Sequence, residues 1–363
     1  MSTPHSRTAG CGASKLPSRS RSVWNSDVLV NLHSHLEGRV RPATAAELAI
    51  EAGVVEPAGG WAGSIHLDGP ADLTTYLAKV ASTYPFFRVP DAARRIAREA
   101  VEDAAAAGQD YLELRFGPAT HADSESGIRD VIEAVVDGMR QGSASTGIPS
   151  GAVVAILRHH DPAVNESVAR VSASLAGEGV VGFDLAGDEL LFPAIAPHVP
   201  AFRIARDAGL GITCHAAEAA PGTAALEAVT LLGATRIGHG AHIADDPDAL
   251  AWIADRGVVV EVCPTSNWYT GAIPTIATHP APIFRGAGVP LVLGDDNPAQ
   301  TGSDLPGERI VLVESLGFSA EDLHALDVTS IAAAFVDDRT RSALSRRLSP
   351  QLLDPLAQRV EEV

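Results

Sequence analysis

Lysine is almost missing from this 363-residue chain. Lys15 and Lys79 are the only two, and arginine supplies the other basic residues; this is a compositional habit and carries no mechanism. Cysteine is scarce as well. Cys11, Cys214 and Cys263 are odd in number and match neither a disulfide framework nor a C-x-x-C pair, so a reducing cytoplasm is the simplest setting. No apolar run reaches the ~18–20 residues that a bilayer-spanning helix needs. Positive charge is outweighed, giving a formal net charge of −18 and a sequence pI near 5.0. Such a surface repels polyanions, so neither nucleic acid nor a membrane is expected as a partner. Residues 1–24 hold no acidic residue and lack the apolar centre of a signal peptide. They read as a weakly basic disordered tail, which leaves 25–363 as a single domain.

What is present is regular alternation. Apolar, β-branched runs at 27–33, 111–116, 153–158, 180–187, 211–218, 235–240, 258–267 and 289–298 are separated by helical patterns. Runs apolar along their whole length suit strands buried on both faces. Eight such strand–helix units predict an α/β protein of the (β/α)₈ TIM-barrel type. The long helical region at about 43–108 predicts a cap inserted after the first strand. Residues 302–360 predict helices packed around the outside.

The polar residues fall where a barrel uses them. His33, His35, Arg115, His159, Asp184, His215, His239, Asn267 and Asp296 all come at or just after the end of a predicted strand, the end that carries active sites in this architecture. His33 and His35, two apart, project from the same side of a strand. With His215 from the fifth strand and an aspartate of the Asp295-Asp296-Asn297 run, they can form a His₃Asp set with an open position for water. Glu218, three residues past His215, is placed to move protons, and His239 to orient or deprotonate the water.

HSHLEG (33–38), HAAEA (215–219), RIGHG (236–240), CPTSN (263–267) and DDNP (295–298), in this order, resemble the adenosine deaminase family of the amidohydrolase superfamily. YLELRFGP, LRHHDP and GFDLAGDE are similar to it too, and the resemblance runs from about residue 27 to 345. It implies one zinc per chain on His33, His35, His215 and Asp296. It makes Glu218 the acid that protonates ring nitrogen N1, His239 the neighbour of the attacking water, and Gly187 the backbone contact to purine N3. The reaction implied is hydrolytic attack at C6 of a 6-aminopurine, releasing ammonia, by a cytoplasmic monomer or homodimer. A second alignment puts Asp295 on the metal; Asp296 is preferred because it keeps Pro298 in register. Cys263 has no cysteine partner of the cytidine-deaminase kind and reads as structural.

Three departures bear on substrate. Asn297 replaces the second aspartate that meets N7, and an amide can donate there without a bound proton. Glu37 replaces the aspartate that bonds the ribose and resembles the adenine deaminase branch, where the longer side chain takes the sugar's room. Tyr76 and Val80 stand where the family carries phenylalanines. Adenosine or a close nucleoside is therefore the leading substrate. Adenine, an N6-substituted or modified purine, or another amino-heterocycle is the alternative. A catalytically idle binding relative is the third class, and it is opposed by the competent side chain at every expected position.

Overall fold

The computed structural model describes residues 28–348; the 1–24 tail and the end of the 302–360 region lie outside them. Eight strands form one parallel sheet in sequence order: β1 (Val30–His35), β2 (Tyr111–Phe116), β3 (Ser150–Leu157), β4 (Val180–Ala186), β5 (Gly211–Ala216), β6 (Arg236–His239), β7 (Val259–Val262) and β8 (Leu291–Leu293). The seam between β8 and β1 closes just past the last residue of β8. His35 N donates to Asp296 O at 2.7 Å and Asp296 N to His33 O at 3.0 Å. The barrel thus closes through the residues singled out as metal ligands.

Between β1 and β2 come α1 (Pro42–Ala52), α2 (Gly60–Ile65), α3 (Leu73–Ala81) and α4 (Pro90–Ala106). The expected cap at 43–108 divides. The segment through α3 and the turn Tyr84–Arg88 covers the barrel mouth, while α4 is the regular outer helix, packed along α5 (Glu125–Thr146). The starts follow from side chains: Asp72 caps α3 by accepting from Thr75 N at 2.7 Å, and Ser124 caps α5 by accepting from Gly127 N at 3.2 Å. Then follow α6 (Pro162–Ser174), α7 (Val199–Asp207), α8 (Thr223–Glu227), α9 (Pro247–Asp255), α10 (Pro264–Tyr269), α11 (Ala281–Gly286), α12 (Pro298–Thr301), α13 (Leu305–Glu314), α14 (Ala320–Ala333) and α15 (Asp338–Ser345).

Three strand readings need correction. The first strand reaches His35 and not only His33, so both imidazoles ride on it. The seventh ends at Val262, because Pro264 at the first turn of α10 starts a helix; Asn267 is helical and not at a strand end. The eighth is three residues long, and Asp295–Asn297 lie in the segment after it, where Asp296 bridges to Ser34 of β1. The last helices also do more than pack outside. Ile331, Ala334 and Leu344 bury with Val30, Leu32, Tyr111 and Val292 at the barrel's N-terminal end.

The apolar core lies between the strands and the outer helices. Inside the barrel an ion network replaces the branched apolar layers common in this fold. Glu261 accepts from Arg115 at 2.8 Å and from Arg236 at 2.7 Å, and Arg115 reaches Asp184 at 3.1 Å, all fully buried. Arg236 also pairs with Glu113 and stacks on Phe335. Such a network is costly to desolvate and is tolerated because every charge has a partner.

Candidate active site

His33 and His35 from β1, His215 from β5, His239 from β6 and Asp296 after β8 converge at the C-terminal end of the barrel. Asp296 Oδ1 lies 3.5 Å from His33 Nε2 and 3.3 Å from His35 Nε2. His35 Nε2 and His215 Nε2 are 3.1 Å apart. The backbone bends sharply to do this: among the described residues, Ala217, His239 and Asp296 are the non-glycine residues with positive φ, at 56°, 63° and 54°. Such conformations persist where surrounding structure enforces them, and they concentrate at functional sites. Gly294 is required by space, since a Cβ there would lie 2.4 Å from the Cβ of His33.

Carboxylates behind the histidines aim them. His33 Nδ1 is 2.7 Å from Glu261 and His215 Nδ1 is 2.9 Å from Asp184, so both rings turn Nε2 into the site. Ser266 and Tyr76 donate to Asp296 Oδ2, the tyrosine at 3.1 Å, which leaves Oδ1 facing the histidines. His33 Nε2 and Asp296 Oδ1 are buried with no hydrogen-bond partner. Burial holds the imidazole of His35 down at about 3, although Asp296 opposes the shift. Asp296 is held well below the carboxylate range: burial raises it, but the neighbouring histidines outweigh that. Converging imidazoles beside an ionised carboxylate, with the inward atoms of His33 and Asp296 unsatisfied, fit a divalent transition metal. The atoms close enough to share one belong to His33, His35 and Asp296, and to His33, His215 and His239.

Glu218 lies just beyond. Burial, then Asp296, pushes its carboxyl well above the ordinary range, which favours the protonated form. Thr270 donates to its Oε1 at 3.1 Å, and its Oε2 faces His239 Nε2 at 3.8 Å. Asp295 is turned away into an ion pair with Arg39. The arrangement brings Glu37, Tyr76, Gly187, Asn297 and Glu218 together with His35, His215 and His239 around one cavity of about 350 Å³. Arg115 and Asp184 lie beneath it in the ion network, and Asn267 behind His239.

Several members were invisible in sequence. His121 and the Gly117 N–H each donate to Glu37 Oε1 at 3.0 Å, tying the carboxylate to the β2 loop. Glu261, Ser266, Thr270 and His279 act through partners remote in the chain. Ser266 stands in the CPTSN motif and Glu261 among apolar strand residues, signals that were available; His121 and His279 offered none.

A parallel barrel with a histidine–aspartate cluster at its strand ends and a buried carboxyl beside it is the layout of a barrel metallohydrolase. A family model described as adenosine deaminase matches residues 29–350. Adenosine deaminase of Shewanella loihica is 36% identical over 323 residues, covering 87% of this chain and 96% of that one. Adenine deaminase of a Chelativorans species is also 36% identical, over 325 residues, covering 88% and 97%. The solved structure of an amidohydrolase from Burkholderia ambifaria with bound zinc superposes with a TM-score of 0.80 at 28% identity, covering 90% of each chain. The chain belongs to the adenosine deaminase family.

Proposed function

We propose that this protein is a zinc-dependent hydrolytic deaminase of a 6-aminopurine, adenosine or a close nucleoside relative, holding one zinc per chain on His33, His35, His215 and Asp296. The observation that carries the reading is Glu218, buried 3.8 Å from His239, beside a cluster in which the inward atoms of His33 and Asp296 lack partners. Bound there, zinc supplies Lewis acidity and brings the pKa of water down to ~7. The chain's own residues do the rest. Gly187, with φ 106°, presents backbone at the cavity wall to the ring's N3 edge. Asn297 borders the cavity at the ring's N7 edge. Glu218 hands its proton to N1 as the oxygen of water bonds to C6. The C6–N bond then breaks and the amino group leaves as ammonia. Of the water's two hydrogens, one departs in the ammonia and one restores Glu218. Thr270, donating to Oε1, keeps the transferable proton on Oε2.

Glu37 favours a second reading, the free base. Its carboxylate, held by His121 and Gly117, occupies one end of the cavity, and the adenine deaminase relative matches as well as the adenosine deaminase one. The test is ammonia release from adenosine, adenine and N6-methyladenosine by zinc-loaded protein, with His33→Ala as control. Turnover of at least one, lost in the variant together with the metal, is expected. Activity on none moves the chain to the binding-relative class.

A further inference from the structure

Behind His239 runs a line of three buried side chains that ends on a backbone amide. The N–H of Ala281 donates to His279 Nδ1 at 3.1 Å. His279 Nε2 lies 3.2 Å from Asn267 Oδ1, and Asn267 Nδ2 lies 3.0 Å from His239 Nδ1. Asn267 is fully buried, and His239 and His279 nearly so.

A backbone N–H can only donate, and that settles the direction of the whole line. His279 Nδ1 must accept, so the single hydrogen of its neutral ring is on Nε2. Burial keeps that ring neutral, with its pKa down at about 3. Nε2–H then donates to the Asn267 carbonyl oxygen. The opposite amide orientation would set Asn267 N–H against His279 N–H. Asn267 therefore turns its amide nitrogen to His239, which accepts at Nδ1. One hydrogen is left for His239, on Nε2, the nitrogen that faces Glu218 and the cavity.

Resting on the deaminase reading above, we infer that His279 and Asn267 are positioning residues that lock His239 as the Nε2–H tautomer, so that His239 donates a hydrogen bond to the attacking oxygen and does not take its proton. The contrast with its neighbour is direct. His33 has a carboxylate hydrogen-bonded at Nδ1, which places its ring hydrogen there and turns Nε2 towards the metal site. His239 has an amide donor on Nδ1, hence the reverse. A nitrogen bearing hydrogen cannot ligate a metal, which leaves His239 out of the metal set although its ring lies 4.6 Å from that of His33.

The test is Asn267→Asp. A carboxylate still accepts from His279 but cannot donate, so His239 must present Nδ1–H and a bare Nε2. Nitrogen-15 NMR of histidine-labelled, zinc-loaded protein reads the tautomer without substrate. The wild type is expected to show His239 and His279 both protonated on Nε2, and the variant to reverse His239. On the best aminopurine substrate kcat is expected to fall on the order of 10²-fold or more, as for other lost transition-state donors, with KM little changed. Wild-type His239 protonated on Nδ1 overturns the proposal. So does a reversed tautomer with kcat within about threefold of wild type, since a general base would profit from the bare Nε2. Should Asn267→Asp not fold, His279→Gln, which keeps a donor, must retain the Nε2–H signal and the rate, and His279→Phe must lose both; equal behaviour of the two overturns the proposal. Absence of turnover by the wild type would contradict the deaminase reading and leave the NMR result to decide the tautomer.

Discussion

Glu218 and Asp296 are both buried carboxyls in one cavity, yet their pKa values are driven in opposite directions. Burial, then Asp296 and Glu189, raises the Glu218 pKa, while for Asp296 burial acts the same way but three histidines outweigh it and lower the pKa. That split assigns the acid. Glu218→Gln should keep the metal and the fold but lose kcat by ~10²–10⁴, typical for a removed general acid. The same raised pKa sets a pH limb: kcat/KM should fall as pH rises through the Glu218 pKa, with the midpoint displaced above that of an ordinary carboxyl, and a stopped assay over a pH series reads it. Glu37 is the other decisive residue. Glu37→Asp shortens the carboxylate, loosens its contact with His121 and Gly117, and returns room to a ribose. The ratio of kcat/KM for adenosine over adenine should rise; an unchanged ratio puts the sugar-end choice on α3 instead. At this scale the candidate ligands were legible as residues that converge, because H-x-H, HAAE and DDNP are local patterns. His121 and His279 were not, since their partners lie 84 and 12 residues away.

Among the elements, α3 and the β8–β1 seam meet at Asp296. The Tyr76 hydroxyl reaches from the cap to Asp296 and Ser266, both at 3.1 Å. Sequence patterning placed Tyr76 on a helix, and the family resemblance implied that it lies near the substrate. It had no means to show that its hydroxyl meets a candidate ligand on another strand's loop. Tyr76→Phe keeps the ring and loses that bond, worth about 1 kcal/mol. Zinc should leave to a chelator severalfold faster, with secondary structure unchanged by circular dichroism. An unchanged release rate would limit Tyr76 to packing against Leu67 and Val80. The strand–helix alternation was readable because it rests on apolar periodicity. The end of β7 was not, since Pro264 starts a helix just where the apolar run stops.

For the molecule as a whole, the barrel is built around charge. The ion network of Glu113, Arg115, Asp184, Arg236 and Glu261 supports the histidines from below, and the Ile331–Ala334 region covers the opposite end. Neither feature shows as a pattern in the chain, because each joins residues from separate strands. Bound metal should stabilise this assembly by mass action, by about 2.7 kcal/mol at a hundredfold excess over Kd. Exhaustive chelation should therefore lower Tm by several degrees, and zinc should restore it; a Tm indifferent to chelation would mean that the cluster holds no metal. The account turns on one event, the addition of water at C6. Running the reaction in oxygen-18 water and weighing the product measures it directly. The account predicts one labelled oxygen in the 6-oxopurine for each ammonia released. An unlabelled product, or labelled product without ammonia, would contradict it.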